Sequence, residues 1–360
     1  MVNRTDIFVA GGGPAGLAAA IAAQLKGFDV VVADAAQPPI DKACGEGLMP
    51  DSLAALRQLG VALDSEQCFA FRGIRFIGAG GSVAADFPHG CGIAVRRVRL
   101  HQALIDRAQE LGVKLLWRTR VTGIGDIQAR WIIGADGQNS RVRRWASLDG
   151  ASSESFRYGF RRHYRLRPWT DFMEVYWGPG CQMYVTAVAP DEVCAALLTR
   201  HPHLRLDAAL PCFPDLAQRF QGAETLSEER GALTYTRRLR RIYRGRTALI
   251  GDASGSVDAI TGEGMGLAFR QAPALADALV ADNLDQYQAA HRRLSRRPAF
   301  MAQLMLTLDR FPRLRPRALR AFASEPEIFE SLLAMHVGEL SGSDFLFRGM
   351  LPLGWQMLHT

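Results

Sequence analysis

Residues 6–34 read DIFVAGGGPAGLAAAIAAQLKGFDVVVAD, and this run constrains the fold more than any other part of the chain. A short apolar stretch, Ile7 to Val9, enters Gly11, Gly13 and Gly16, with Pro14 and Ala15 between the last two. An alanine-rich helix is predicted as far as Lys26, Gly27 stops it, and a second strand ends on Asp34. Strand, spaced glycines, helix, strand and acid is the order that a dinucleotide-binding βαβ unit needs. Gly11 permits the tight turn, Gly13 lets the backbone approach a pyrophosphate, and Gly16 lets the helix sit close on the sheet. The helix N-terminus offers N–H groups to the phosphates, and Asp34 is placed to reach a ribose diol. Spaced glycines alone would mark only a strand-to-helix turn; in this context they predict a bound ADP moiety.

A chain of 360 residues can hold two domains around one large core. Its 48% hydrophobic and 22% charged residues exclude a disordered polymer. Six cysteines form no C-x-x-C pair and no zinc spacing, so no metal is expected. The first strand begins at residue 6, which leaves no leader expected, and no apolar run approaches a spanning helix. Free thiols in a reducing cytoplasm follow as the expected setting. The net charge of +7 is almost all arginine, since Lys26, Lys42 and Lys114 are the only lysines. Arginines cluster at 237–246 and 292–297 without any nucleic-acid module beside them. They read as solvated faces, with attraction of anionic cofactors or peripheral membrane contact as the alternative. Neither a nucleic acid nor an obligate protein partner is expected.

Further along, Asp51 is a plausible N-cap for a helix to Leu59. Residues 69–87 read as a hairpin turning at Gly78–Gly81, and 97–111 as an amphipathic helix. A strand follows that turn, so these glycines have no helix N-terminus for a phosphate. Strands are predicted at 114–117, 131–133 and 247–250. Alternation from 158 to 244 predicts a half-buried antiparallel sheet, with a helix over 207–220. A helix over 264–281 should kink at Pro273, and the tail from 284 is mostly helical. The fold class is therefore α/β in its first part and α+β overall. A Rossmann-like domain (1–68, 90–150, 245–285) would carry a discontinuous sheet domain (69–89, 151–244) and a helical C-terminal region (286–360).

Two later segments, WIIGADGQNSRVRR (131–144) and TALIGDASGSVDAITGEGMGLAF (247–269), each place an aspartate after an apolar strand. Asp252 can accept hydrogen bonds from ribityl hydroxyls, and the backbone at Gly262, Gly264 and Gly266 can approach a flat, polar ring edge. An NAD-dependent dehydrogenase needs neither segment, so FAD is the expected dinucleotide. With these motifs in this order, the sequence resembles the FAD-dependent oxidoreductases of the p-hydroxybenzoate hydroxylase superfamily, including class A monooxygenases and geranylgeranyl reductase-like enzymes. The resemblance covers most of residues 1–285. It implies that Gly11–Gly16 and Asp34 hold the AMP half, and that Asp136 and Gly137 sit near the pyrophosphate and help recruit NAD(P)H. It further implies that Gly251 and Asp252 grip the ribityl chain and that Arg97 contacts flavin. Lys42, Cys44 and Gly45 resemble the reductase loop that sets a cysteine beside the flavin ring. The run Thr261, Gly262, Glu263, Gly264, continuing into Met265, is similar to the same branch. Ala259 stands where the family usually has proline, and no Trp-x-Trp motif of halogenases occurs.

Flavin performs the difficult chemistry, while protein supplies orientation and a dry cavity. Met173, Tyr176, Trp177, Met183 and Tyr184 are candidate walls, and Cys44, Tyr176 and Tyr184 are candidate catalytic groups. Glu46 and Glu263 flank the expected flavin and could relay protons. His163, His201, His203 and His291 lack metal-ligand companions at useful spacing, and Ser254 has no nucleophile elbow. The first expectation is an NAD(P)H- and O2-using monooxygenase that hydroxylates or epoxidises a small hydrophobic, aromatic or polyketide-like substrate. The alternatives are a flavin-dependent C=C reductase of a lipid or prenyl substrate, and a non-catalytic flavin-binding protein.

Overall fold

In the computed structural model, which describes residues 5–149 and 152–359, the opening strand Thr5–Ala10 lies at the centre of a parallel sheet. Val30–Ala33 pairs on one side of it and Ala129–Gly134 on the other. Lys114–Leu116 and Thr247–Leu249 extend the sheet in parallel, and Tyr243–Arg244 closes one edge antiparallel. Ile7, Val9, Val30 and Val32 are almost wholly inaccessible, the pattern of a parallel sheet covered by helices. Helices α1 (Pro14–Leu25), α2 (Pro50–Gln58) and α3 (Arg97–Glu110) supply much of that cover. The small side chains of Ala18 and Ala20 let α1 seat closely, and a short α4 (Arg141–Trp145) follows the strand Ala129–Gly134.

Helix α2 starts earlier than expected: its N-cap is Met49, with Pro50 in the first turn. Asp51 instead sits inside that turn and accepts hydrogen bonds from Arg270 and Arg297. The expected 69–87 hairpin is also divided. Gly73–Gly78 and Gly81–Asp86 form it, whereas Cys68–Phe71 joins Gly92–Val95 and Gly47–Leu48 in a separate three-stranded sheet. Arg72 breaks the run between them. The expected junction at residues 150 and 151 lies outside the described residues.

The second large sheet runs Glu224–Thr225, Ser152–Arg165, Glu192–Thr199, Cys181–Ala189, Phe172–Gly178, Gly73–Gly78, Gly81–Asp86, and Arg230–Arg237 also pairs with Ser152–Arg165. It is antiparallel except where Phe172–Gly178 runs alongside Gly73–Gly78. Burial varies across it: every residue of the inner strand Phe172–Gly178 is inside, whereas Arg230–Arg237 stays largely exposed. On one face lie α5 (Leu206–Ala209) and α6 (Pro214–Phe220) with Phe213 between them. These replace the single helix expected over 207–220, because Pro211 and Pro214 interrupt its hydrogen-bond ladder. On the other face lies the tail.

Helix α7 (Gly264–Val280) runs through Pro273 as one element. It is followed by α8 (Leu284–Arg310), α9 (Leu314–Ser324) and α10 (Pro326–Val337). The tail joins the sheet through hydrocarbon and through ions. Asp309 accepts from Arg157 at 2.6 Å, from Arg200 at 2.9 Å and from the Gln182 amide, while Arg157 also meets Asp258 at 3.2 Å. Burial alone would raise the Asp309 carboxyl, but Arg157, Gln182 and Arg200 outweigh it and hold it below the usual range. A depressed carboxyl stabilises the fold above its unfolded pKa, and that contribution is lost as pH falls through the folded value. Asp309→Ala should therefore cost about 3 kcal/mol or more in denaturant unfolding, because it strands buried guanidinium. The same variant should lose part of the wild-type decline in stability on the acid side.

Candidate active site

The three acidic motifs meet where the strands Thr5–Ala10, Ala129–Gly134 and Thr247–Leu249 end. Gly11 has φ +115°, and a Cβ there would lie 2.4 Å from the Ala135 carbonyl. A Cβ on Gly16 would lie 1.8 Å from the Gly11 carbonyl, and one on Gly251 2.6 Å from the Ala15 methyl. Gly13 is the opposite case, since a Cβ there would meet nothing within 4 Å. Gly13 caps α1 without any side-chain hydrogen bond, and Pro14 has no N–H to offer. Open space thus lies directly before a helix N-terminus, which suits a pyrophosphate. Asp34 accepts from the Gly12 N–H at 2.7 Å and the Ala36 N–H at 2.8 Å, so it shapes this loop and keeps lone pairs for a diol. His101, which sequence reading overlooked, donates from Nε2 to the Gly12 carbonyl at 2.7 Å. Its burial lowers its pKa, in keeping with a neutral ring fastening the loop.

Asp252 projects into the same groove. Its carboxylate is open to solvent within a concavity, and crowding by protein raises its pKa against the pull of Arg97 and Lys42. Arg97 donates its backbone N–H to Glu46 at 2.9 Å, and its Nη1 lies 3.6 Å from the Met265 sulfur. Its Nε is buried with no partner. Asp136 accepts from the Arg141 and Val142 N–H groups through one oxygen, while its other oxygen is buried and unmatched. Asp136 therefore holds the start of α4, beside Gly137 at φ +78°. Gly45, Gly137, Gly262 and Gly264 each face open space where a Cβ would stand. Orphaned polar atoms and glycines bordering one groove fit an extended dinucleotide such as FAD.

At the end of the groove the loops Ala43–Gly47 and Ala259–Gly262 border a cavity of about 170 Å³. Its walls include Ile74, Met173, Met301, Met305, Phe329 and Leu332. Cys44 lies at its edge, and burial pushes its thiol up against the pull of Arg97. Tyr184 also lines it and donates to the Ile260 carbonyl at 2.7 Å. Tyr176 does not: strand alternation points it to the opposite core, where its hydroxyl donates to Glu174 at 2.8 Å. Met183 shares that opposite core, and Trp177 packs under the tail without reaching the cavity.

Two buried acid–histidine pairs flank the cavity. Glu46 is held at φ +62° and accepts from His163 Nε2 at 2.6 Å. His163 Nδ1 lies 3.1 Å from Arg96, 3.2 Å from Arg161 and 2.8 Å from the Ser227 hydroxyl. Guanidinium can only donate, so Nδ1 accepts and the ring proton sits on Nε2. His163 was expected to lack ligand companions, yet the fold gathers Glu46 and Cys194 around it. The two guanidiniums beside it oppose a cation there, and the cluster is suited to holding protons. Glu263 lies 3.5 Å from His336 Nδ1 and 3.8–3.9 Å from Arg270 and Arg297. Burial pushes Glu263 up to about 8 and His336 down to about 4. No local sequence signal announces either pair, because their partners come from distant segments.

Residues 4–162 match the family model FAD binding domain. The chain is 33% identical over 210 residues to menaquinone reductase of Mycobacterium tuberculosis, covering 56% of this chain and 49% of that protein. It is 30% identical over 173 residues to digeranylgeranylglycerophospholipid reductase of Methanosarcina acetivorans, covering 41% and 42%. The chain thus spans about half the length of the curated relatives it matches. A flavoprotein/dehydrogenase from Cytophaga hutchinsonii superposes with a TM-score of 0.84 at 19% identity, over 99% of this chain and all of that one. The chain carries an FAD-binding domain within a mixed α/β flavoprotein fold, as its motifs lead one to expect.

Gly13→Leu should leave the fold intact, because position 13 is extended and open, yet fill the phosphate space. Its melting temperature should match the wild type while bound flavin absorbance falls by about tenfold or more; full retention of flavin would refute the phosphate assignment. For Glu263, a carboxyl raised above its unfolded pKa stabilises the fold fully at low pH. That stability is lost as pH rises towards about 8. Glu263→Gln should flatten this decline by about 5 kcal/mol in the flavin-free chain, read from unfolding curves between acid and mildly basic pH.

Proposed function

We propose that this protein is an FAD-dependent oxidoreductase that reduces carbon–carbon double bonds in a long, apolar, prenyl- or lipid-like substrate. The observation that carries this reading is the cavity: it starts at the Cys44 and Gly262 loops and continues between the sheet and α8 and α10 over hydrocarbon and thioether walls. Such walls favour an aliphatic chain by hydrophobic transfer and offer few partners to a polar one. The names of the two curated relatives, both reductases, support the same direction. Superfamily frequency alone favours oxygenation; the cavity and these relatives favour reduction.

The groove residues would hold FAD in stated parts. Gly11, Gly13 and the α1 N-terminus would take the pyrophosphate, Asp34 the adenosine ribose, Asp252 and Arg97 the ribityl and ring region. When bound, the flavin supplies the redox chemistry, with NAD(P)H as a transient donor that has no dedicated domain. The chain must then exclude water and provide a proton. Cys44 Sγ, kept protonated by burial, faces the cavity and accepts the Glu46 N–H at 3.3 Å. Glu46 and His163 lie behind it, with Ser227 as the next hydroxyl. The Glu46 carboxyl would deliver the proton to the cavity and be reprotonated from His163 Nε2, whose Nδ1 takes one from Ser227, while Cys44 lines the site. The arginines around His163 fix its ring and keep Nε2 aimed at the carboxylate.

A second reading remains the flavin monooxygenase, favoured by the same dryness, since oxygen activation is wasted where water enters. Oxygen-free assays separate the two. Product with two added hydrogens formed under argon supports the reductase, whereas incorporation of labelled O2 gives the case to the monooxygenase. His163→Gln should lower kcat by about a hundredfold with little change in KM and should alter the pH profile. An unaltered profile in a folded, flavin-loaded variant counts against the proton line.

A further inference from the structure

The C-terminal helices carry a surface that the cavity does not use. After α10 ends at Gly338, the chain forms α11 (Gly342–Phe345), a wide π-helical turn Leu346–Met350, and α12 (Leu351–His359). Phe345 and Leu353 turn inward and fix this segment, Phe345 packing on Phe300. The other face is apolar and solvent-exposed: Leu346 is 47% exposed, Phe347 67%, Leu351 57% and Trp355 65%. Phe347, Leu351 and Trp355 recur at every fourth position, so they make one stripe along successive turns. Phe311, at the end of α8, adds another half-exposed ring. An apolar row of this size on a surface marks an interaction site.

Helix α12 packs on α9, whose solvent face presents Arg313, Arg317 and Arg320 at helical spacing. Arg310 and Arg348 are exposed on the flanking elements. None of these five guanidiniums forms an ion pair among the described residues, unlike most arginines of the large sheet. Of the acids nearby, Glu339 is engaged by His89, Asp344 by Ser341 and Glu325 by Gln356 of α12, while Glu327 and Glu330 are exposed on α10. A row of aromatic and aliphatic side chains bordered by arginines without ion pairs among the described residues is complementary to a layer with a hydrocarbon interior and phosphate surface. No helix among the described residues is long and apolar enough to cross a membrane, so the fit is to lying on a layer.

We propose that this face docks the protein on an anionic lipid bilayer. The apolar stripe enters the headgroup region, while arginine stems lie along it and their guanidiniums meet lipid phosphates. Helices α8 and α10, which wall the cavity, belong to the same helical cap. The inference stands on surface chemistry alone and holds whichever reaction the cavity serves.

Flotation of the flavin-loaded full chain with phosphatidylcholine vesicles, with and without phosphatidylglycerol, tests it. Binding should require the anionic lipid and weaken as salt rises. The double variant Phe347→Ser with Leu351→Ser, and separately Arg313→Gln with Arg317→Gln and Arg320→Gln, should each lower partitioning by about tenfold. Flavin content and melting temperature should stay unchanged, which separates lost docking from lost folding. No flotation with anionic vesicles overturns the proposal, as does flotation that neither variant alters. If the serine variant abolishes self-association in solution while vesicle binding persists, the stripe is a contact between copies of the chain and the proposal fails.

Discussion

Backbone contact between loops that end three parallel strands governs the rest of this structure. Gly16 approaches the Gly11 carbonyl, Gly11 approaches Ala135, and Gly251 rests against Ala15. Each contact is too close for a Cβ, so the glycines set the distance between α1, the Asp136 loop and the Asp252 loop. The Gly251 N–H is also fastened to Gln271 of α7, which joins the last loop to a helix lying against α1. Hydrophobic burial supplies most of the favourable free energy of such a core, but it has little directionality. Steric contact at glycine makes the groove a groove, with Gly13 and Gly137 left facing space.

A second level of organisation uses buried charge. Asp309 reaches from α8 to arginines of the large sheet, and Asp51 reaches from α2 to arginines of α7 and α8. These pairs add less net stability than their Coulomb attraction suggests, because both partners leave water. Their effect is positional: a helix carrying Asp309 has one satisfactory seat on the sheet. With the tail seated, Met301, Met305, Phe329 and Leu332 close a space that the sheet alone would leave open. The redox groove and the apolar cavity thus share one end, where Cys44 and Gly262 stand.

Legibility followed the range of the interactions. The opening βαβ unit and α3 were readable because period and glycine spacing are local. Errors arose where a distant partner decided. Asp51 resembles a cap, yet Pro50 starts the helix and two arginines from the tail engage the aspartate. Tyr176 has the chemistry of a cavity residue, but the alternation of its strand sends it to the other core, in contact with Glu174. His163 looked isolated along the chain, and strand pairing brings it to Glu46 and Cys194.

The sequence by itself determined a dinucleotide fold, its glycine turns and the three acids around it, since each depends on neighbours a few residues away. Tertiary structure alone decided which side chains face the cavity, which histidines gain carboxylates, and that a motif-free tail would form the far wall. Those outcomes depend on the register of strands and on burial against segments from about seventy to more than a hundred residues away. Neither register nor burial is written in local spacing.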